Sequence, residues 1–348
     1  MIANWSRVSQ FGKCQEKAWN WDERKLDTWS PALPLLQGGG FHDGVAKYFA
    51  THDSSIAAAE VEASIRRELE GKMVLPEEKP DIDRAIAWSS LAVKKFAASY
   101  EQQPIQVLWP EVQFMVPLPR SHHHCWFMHR HFCKNTEYPA CPVERMIREN
   151  HGVITDKVIE HCAQWPCFQP HWFRGKTDAV VSLDGQIFLF EHKTNSMKME
   201  MFIQKYFLDA QATGYIYGIQ RQLGVPVAGF VLNVIQKPHP NMKDQMQVGF
   251  AREMFFRDPE DMQAFEGEFT QEVTNYENAF RDRALGNQFA VTRRTTACTD
   301  YGRKCPYFDM CQRHPREPLE GEFDLRSDDY VDKAYLEVYN KWKETQQQ

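Results

Sequence analysis

The sequence predicts an α/β fold, with a mixed central sheet flanked by helices, from three consecutive patterns. Asp184-Gly185 separates two apolar runs of strand length, which is a strong signal for a two-residue hairpin turn. Residues 204–223 have the spacing of an amphipathic helix. Residues 227–235 form a further apolar run of strand length. The order of hairpin, helix and strand is typical of an α/β fold.

The predicted hairpin brings charged side chains onto one face. If Leu183 pairs with Gln186 across the turn, Asp178 lies opposite Glu191. Side chains alternate between the faces of a strand, so Lys193 shares the face of both carboxylates. Two neighbouring carboxylates repel each other unless a cation lies between them, and their oxygens suit Mg²⁺ or Mn²⁺. The alternative is an exposed hairpin edge with ordinary solvated charges.

Two flanking segments carry further polar residues. Gly38 to Gly40 precede His42 at the start of a predicted helical stretch, so we expect His42 near its first turn. In the helix of residues 204–223, Gln211 and Tyr215 are four residues apart and therefore share a face. Helical segments thus flank the hairpin in sequence on both sides.

Taken together, these motifs resemble the PD-(D/E)XK nuclease superfamily, and specifically its RecB-like branch, which includes AddB-type and CRISPR-associated exonucleases. The resemblance implies a restriction-endonuclease-like core with helical additions and a C-terminal iron–sulfur region. The motifs occur in the family's order and are Gly38-x-x-x-His42, Gly175-x-x-Asp178, Glu191-x-Lys193 and Gln211-x-x-x-Tyr215.

The resemblance also implies a metal site and a set of catalytic residues. His42, Asp178, Glu191 and the backbone carbonyl of His192 would hold one or two divalent ions, Mg²⁺ or Mn²⁺. The remaining roles belong to three other side chains: Lys193 would handle the attacking water, and Gln211 and Tyr215 would position the metal-bound water or the DNA strand.

The activity implied is that of a DNA exonuclease in DNA processing, recombination or repair. Its substrate would be single-stranded DNA or duplex ends, and a helicase or recombination protein is an expected partner. The rival hypothesis is a non-catalytic DNA-binding subunit of a helicase or integration complex. The intact set of His42, Asp178, Glu191 and Lys193 argues against that rival, because a decayed site would be expected to have lost a member.

Four cysteines form a second candidate site. Some RecB-like nucleases pair a lone N-terminal cysteine with a C-terminal trio to bind a 4Fe–4S cluster. Structural zinc pairs are normally about two to four residues apart, and the longer gaps here favour iron–sulfur. Zinc at the same ligands and buried cysteines without a ligand are the alternatives. The resemblance assigns the cluster to Cys14, Cys298, Cys305 and Cys311.

Composition and hydropathy predict a soluble, intracellular protein of the cytoplasm, and they do not determine a bacterial or viral origin. The 348 residues contain neither a secretory leader nor an apolar run near the length of about 20 residues that spans a bilayer. The mean hydropathy is −0.57. We therefore expect no membrane partner, and disulfides are rare in that compartment. The net charge of −6 argues against a broad nucleic-acid-binding surface but leaves room for a local one.

The long sequence distances between motifs predict one intertwined unit. Residues 1–37 would be an N-terminal segment with the cluster cysteine, and residues 38–240 the nuclease core, with a His/Cys-rich insertion at residues 121–141. Residues 241–348 would be a helical and iron–sulfur region that packs back on the N-terminus. We expect helices there at residues 259–285 and 328–345.

Overall fold

The computed structural model describes residues 2–27, 33–72, 74–101, 105–119, 171–238, 243–302, 304–313 and 315–325. The expected insertion at residues 121–141 and the expected helix at residues 328–345 lie outside these ranges. All the motif residues lie inside them, as do four of the nine cysteines, namely Cys14, Cys298, Cys305 and Cys311.

Six of the described strands form a mixed central sheet, as the sequence predicts, and two others pair separately. The described strands are β1 (Ile2–Ala3), β2 (Leu26–Asp27), β3 (Gln106–Pro117), β4 (Trp172–Leu183), β5 (Gln186–Asn195), β6 (Gly229–Gln236), β7 (Gly249–Phe256) and β8 (Asp324–Leu325). The central sheet has the order β1, β4, β5, β6, β7, and β3 also pairs with β4. The pairs β1–β4 and β5–β6 are parallel, whereas β3–β4, β4–β5 and β6–β7 are antiparallel.

Helices cover both faces of the sheet. The described α-helices are α1 (Trp5–Lys13), α2 (Gln15–Asp22), α3 (Leu33–Thr51), α4 (Ser54–Leu69), α5 (Lys79–Tyr100), α6 (Met199–Gln204), α7 (Ala210–Leu223), α8 (Pro259–Ala284) and α9 (Phe308–Gln312). Helices α3, α4 and α5 pack on one face, and α1, α7 and α8 pack on the other. Across the ranges described, no helix is long and apolar enough to cross a membrane.

Side-chain alternation explains why the hairpin strands have two buried faces. Val180 and Leu189 belong to the core on the side of α7, whereas Val181 and Phe188 belong to the core on the side of α3. Strand β6 is buried at every residue but its last, as expected for a central strand covered on both sides. The sheet is therefore the middle layer of three.

The predicted hairpin register is confirmed along the paired part of the two strands. Asp184 and Gly185 have φ angles of 50° and 77°, so both adopt the positive φ that a two-residue turn of this kind requires. Leu183 pairs with Gln186, and the ladder continues to the pair of Ala179 with Phe190. Asp178 is the first β4 residue beyond that ladder.

The expected position of His42 near a helix start is wrong. Helix α3 begins at Leu33, so His42 lies in its third turn. Of the three glycines that suggested a helix start, Gly40 instead allows close packing between helices. A Cβ atom at Gly40 would lie 2.8 Å from Cγ1 of Ile65, on α4.

Two boundaries after the hairpin also differ from expectation. The helix expected at residues 204–223 is divided into the end of α6, a 3₁₀ helix at Lys205–Leu208, and α7. The division occurs because Asp209 caps α7, accepting a hydrogen bond from the backbone N–H of Ala212 at 2.8 Å. In addition, β7 extends the central sheet beyond residue 240, where peripheral helices alone were expected. The helix predicted at 259–285 is α8.

The N-terminal helices are fastened to the C-terminal half by buried polar contacts. Asp22 accepts hydrogen bonds from the Tyr276 hydroxyl and from Nε of Arg7, both at 2.8 Å. The Tyr307 hydroxyl donates to the backbone carbonyl of Leu26 at 2.6 Å. Strand β2 also pairs with β8. These contacts hold the two ends of the described chain together independently of any cofactor.

Candidate active site

Asp178 is held at the point where strands β4 and β5 stop pairing. Its Oδ2 accepts a hydrogen bond from the backbone N–H of His192 at 2.6 Å. The Asp178 carboxylate thus takes the place of the next backbone acceptor in the pairing of β4 with β5. Asp178 alternates with Val180, and Glu191 with Leu189, so both carboxylates lie on the α7 side of the sheet.

His42 reaches Asp178 from α3. Its Nδ1 lies 2.8 Å from Oδ1 of Asp178. Burial by itself would lower the pKa of His42, but the Asp178 charge and hydrogen bond outweigh it and raise that pKa. Burial would likewise raise the pKa of Asp178, yet His42 brings it well below its usual range. The two residues therefore stabilise each other in their charged forms.

Glu191 and Lys193 form a second charged pair on the same face. Glu191 is buried, and this burial raises its pKa although Lys193 acts in the opposite direction. The pKa of Lys193 is raised because the attraction of Glu191 exceeds the cost of burial. The two carboxylates differ in character, since Asp178 is firmly ionised and Glu191 takes up a proton more readily.

The ring of His192 points away from this site. It lies among aromatic side chains on the α3 side of the sheet, with ring centroids 5.2 Å from Phe96 and 5.6 Å from Phe190. Both ring nitrogens are buried without a hydrogen-bond partner among the described residues, and burial lowers the pKa of His192 to about 3. The side chain is therefore a neutral core residue, and only the backbone of His192 faces the carboxylates.

Gln211 and Tyr215 approach from α7. Nε2 of Gln211 donates a hydrogen bond to the Tyr215 hydroxyl at 2.9 Å. Burial raises the pKa of Tyr215 to about 12, and the neighbouring charge of Glu191 adds to this effect. A Cβ at Gly175 would lie 2.5 Å from Cζ of Phe114 and 3.0 Å from Cε1 of Tyr215. Glycine at this position lets the tyrosine approach the sheet.

Lys176, which no sequence motif singled out, also lies beside Asp178. Nζ of Lys176 donates to Glu111 at 2.6 Å. Glu111, Asp43 and Asp178 together raise the pKa of Lys176 against the opposing effect of burial. The sequence does indicate this position, because Lys176 and Asp178 are two residues apart and therefore share one face of the strand.

The donor atoms around Asp178 and Glu191 have the chemistry of a divalent-metal site but are engaged with one another. Asp178 is bonded to His42 and to the His192 backbone, and Glu191 is bonded to Lys193. In the part of the chain that is described, no three His, Cys, Asp or Glu side chains are grouped as metal ligands. The carboxylates fit Mg²⁺ or Mn²⁺ by ligand type, and Glu191 would have to release Lys193.

The four predicted cluster cysteines line a single cavity of about 1140 Å³. Cys14 lies at the junction of α1 and α2 and is buried. The backbone N–H of Cys305 donates to the carbonyl of Cys298 at 2.7 Å, and Cys311 lies in α9. Burial raises the pKa of Cys305, and it raises that of Cys311 to about 11. We call this feature the cysteine cavity.

Basic side chains surround the cysteine cavity. Lys17, Arg283 and Arg293 contribute to its wall. Arg293 donates a hydrogen bond to the carbonyl of Cys311 at 2.9 Å, and Arg294 donates to that of Gly12 at 2.5 Å. Positive charge near a cysteine favours the thiolate, which is the form that binds metals.

Comparison with known proteins adds a family assignment. The family model for the PD-(D/E)XK nuclease superfamily matches residues 3–312. No curated protein matches the sequence. The crystal structure of a protein named SSO0001 aligns with a TM-score of 0.33 and 10% sequence identity, covering 86% of this chain and 82% of that one. A similarity this weak supports no inference about fold or function.

Proposed function

The chain belongs to the PD-(D/E)XK nuclease superfamily, and on that premise we propose that it is a DNA exonuclease of the RecB-like branch. Membership implies metal-dependent nuclease activity, which is the hydrolysis of phosphodiester bonds, and implies DNA as the substrate. The narrower proposal is supported by one observation, the meeting of four motifs at one end of the sheet. Their side chains are His42, Asp178, Glu191, Lys193, Gln211 and Tyr215.

The proposed ligands of Mg²⁺ or Mn²⁺ are His42, Asp178, Glu191 and the backbone carbonyl of His192. Bound metal would supply an activated water and would stabilise negative charge on the phosphate. Asp178 is prepared for this role because it is already ionised and fixed by two hydrogen bonds. Glu191 would join it once its ion pair with Lys193 opens.

The other side chains would act on the water and the strand. Lys193 keeps its proton, since Glu191 raises its pKa, so the ammonium would orient the water or bind a phosphate oxygen. Gln211 fixes the Tyr215 hydroxyl, leaving its proton free to donate. We propose that this hydroxyl positions the DNA strand.

We further propose that the cysteine cavity holds a 4Fe–4S cluster. The chemistry of the donor set fits, because four cysteines line the cavity and thiolates are the usual ligands of such a cluster; the one carboxylate in the wall is Glu317. The cluster would join the N-terminal segment of residues 1–37 to the region that begins at residue 241. Zinc at the same cysteines is the alternative, and a sulfide assay separates the two.

The activity is tested with anaerobically purified protein, Mg²⁺ or Mn²⁺, and end-labelled linear DNA beside covalently closed circular DNA. We expect the linear substrates to be degraded and the closed circles to survive, with no cleavage in EDTA. Cleavage of closed circles would contradict the exonuclease proposal. Binding of DNA without cleavage would instead favour the non-catalytic subunit of a helicase or integration complex.

The role of Lys193 is tested separately from metal binding. Lys193→Ala should lose turnover while binding Mn²⁺ as the wild type does, measured by calorimetry. Lys94→Ala, an exposed lysine of α5 on the opposite side of the sheet, is the matched control. Loss of Mn²⁺ affinity in Lys193→Ala would show that the lysine organises the metal site itself.

A further inference from the structure

Residues 196–208 link β5 to α7 and present an apolar outer surface; we call them the connecting segment. Its inner rings, Phe202 and Tyr206, are buried with centroids 5.4 Å apart. Its outer side chains are exposed, by 58% at Met201, 61% at Phe207 and 91% at Leu208. Four of the fourteen large apolar side chains exposed in the described ranges lie in this short stretch, the fourth being Met197. The inner rings anchor a fixed apolar surface.

The connecting segment lies at the rim of the proposed active site. Its N-terminal end follows β5, which carries Lys193, and its C-terminal end meets Asp209, the cap of α7. The two ends therefore join the strand of Lys193 to the helix of Gln211. Tyr206 is also close enough to Lys193 to contribute to its raised pKa. A strand that enters the site from this side must pass over the segment.

Positive charge accompanies the apolar surface. Nζ of Lys205 lies 3.8 Å from the centroid of the Phe202 ring and 5.4 Å from that of Tyr206. Burial lowers the pKa of Lys205, and the neighbouring charges of Lys193 and Lys13 lower it further, against the opposing effect of Asp209. Three lysines thus gather at this rim in a chain whose net charge is −6.

We propose that the connecting segment binds a single strand of DNA next to the active site, with phosphates on Lys205 and bases against Phe207 and Leu208. The proposal rests on the proposed nuclease function and specifies which form of DNA the site accepts. Proteins that bind single strands combine basic side chains with apolar or aromatic surfaces on which bases stack. Base faces are exposed in a single strand and hidden in a duplex, so the exposed apolar residues favour the single strand.

The test measures binding of fluorescein-labelled oligo(dT) and of blunt duplex DNA by anisotropy in EDTA, where cleavage is excluded. The double variant Phe207→Ser/Leu208→Ser should weaken oligo(dT) binding about tenfold, as expected for loss of base stacking, and leave duplex binding nearly unchanged. The matched control is Leu285→Ser, at an exposed apolar residue after α8. Thermal unfolding of each variant checks that the contact of Phe207 with Phe255 is not essential to the fold.

The charge component is tested by the salt dependence of oligo(dT) binding. Lys205→Gln should reduce the slope of log Kd against log salt concentration by about 0.7, the value for one lost phosphate contact on a single strand. Lys94→Gln should leave the slope unchanged. An unchanged slope in Lys205→Gln would remove this lysine from the strand path and overturn the proposed phosphate contact.

The outcomes separate this inference from the proposed nuclease function. If the wild type cleaves DNA but the double variant binds oligo(dT) normally, the connecting segment is not the strand-binding surface and the nuclease proposal stands. If the wild type never cleaves but the double variant loses oligo(dT) binding, the surface is supported and the catalytic proposal fails. Equal loss in the Leu285→Ser control, or equal loss of duplex binding, would overturn the single-strand assignment.

Discussion

The two candidate sites are held in place by different means. At the carboxylate site, formed by Asp178, Glu191, Lys193 and His42, every charged side chain already has a partner, and three of the four come from the hydrogen-bonded strands β4 and β5. The cysteines come from the chain's N-terminal helices and from short elements after residue 294. Burial raises the pKa of two of these thiols, Cys305 and Cys311, which line the cysteine cavity.

The backbone fixes the geometry of the carboxylate site, whereas a bound ligand would have to fix the geometry of the four cysteines. The carboxylate site needs little rearrangement beyond the opening of one ion pair, so its substitutions should cost activity rather than stability. The cysteine cavity has no strand ladder joining its four thiols, so its substitutions should cost stability.

The largest effect is expected from removing one carboxylate charge. Asp178→Asn or Glu191→Gln should reduce cleavage by about a thousandfold or more, because a metal supplies several kcal/mol of charge stabilisation and needs ionised ligands. Asparagine can still accept the hydrogen bond from the His192 N–H, so the fold should survive. Cleavage rates and thermal unfolding of the same preparations provide the measurement.

The matched control is Glu253→Gln, an exposed carboxylate on β7 of the same sheet. Its cleavage rate should match the wild type. Near-normal cleavage by either active-site variant, with contaminating nuclease excluded by an inactive double variant, would remove the assignment of these carboxylates. Loss of the fold along with activity would show that the two sites do not differ as argued.

The next effect concerns the cysteine cavity. Replacing any of its four cysteines by alanine should bleach the brown colour of the cluster and lower the melting temperature. The decisive measurement is iron and acid-labile sulfide after anaerobic purification, with about four of each per chain expected. Cys162→Ala, outside the described residues, is the control. Stoichiometric zinc without sulfide would replace the cluster, and full iron in Cys14→Ala would place the fourth ligand elsewhere.

Local patterns predicted the hairpin because its register depends on two residues, Asp184 and Gly185. They predicted the shared face of Asp178, Glu191 and Lys193 for the same reason, since alternation along a strand has a fixed period of two. Contacts between distant segments were different. Nothing local shows that His42 reaches Asp178 from the third turn of α3, because the packing of α3 against the sheet decides it.

The function of single residues was hardest to predict where one motif combines backbone and side-chain roles. Glu191, His192 and Lys193 are consecutive, yet the His192 ring enters the opposite core. Alternation along the strand predicts that the His192 side chain points to the face opposite Glu191 and Lys193. A histidine between two charged motif residues nevertheless suggests a polar role for its ring. Lys176 escaped notice because its partner Glu111 lies on β3, far away in sequence.

The buried ring of His192 gives a smaller effect, on stability. His192→Leu keeps the backbone carbonyl and removes two unpartnered ring nitrogens, so we expect normal cleavage and a gain of roughly 1–3 kcal/mol in the free energy of unfolding. The folded pKa of about 3 lies below the unfolded value of about 6.5, so the unfolded state takes up a proton first. Wild-type stability should therefore fall as pH drops below about 6.5.

Urea unfolding between neutral and acidic pH, in EDTA, measures this difference. His192→Leu should show a flatter pH dependence below about 6.5 than the wild type. The control His52→Asn removes an exposed histidine and retains a residue that tolerates its φ of 54°. A His192→Leu enzyme that folds but fails to bind Mn²⁺ would show that the ring, and not the carbonyl, serves the metal site.

The smallest effect should follow from one glycine inserted between Asp184 and Gly185. The two-residue turn is consistent with the observed register, but the neighbouring strands also hold that register. Strand β4 is paired with β3 from Trp172 to Ser182, and β5 is paired with β6 from Phe188 to Asn195. The extra residue should therefore be absorbed as a longer loop, with cleavage reduced less than about tenfold, or about 1.4 kcal/mol. The same insertion between Lys304 and Cys305, where no ladder holds the chain, should release the iron. A hairpin insertion that abolishes cleavage would show that the turn alone aligns the carboxylates, and that the sheet does not fix this site as firmly as its pairing indicates.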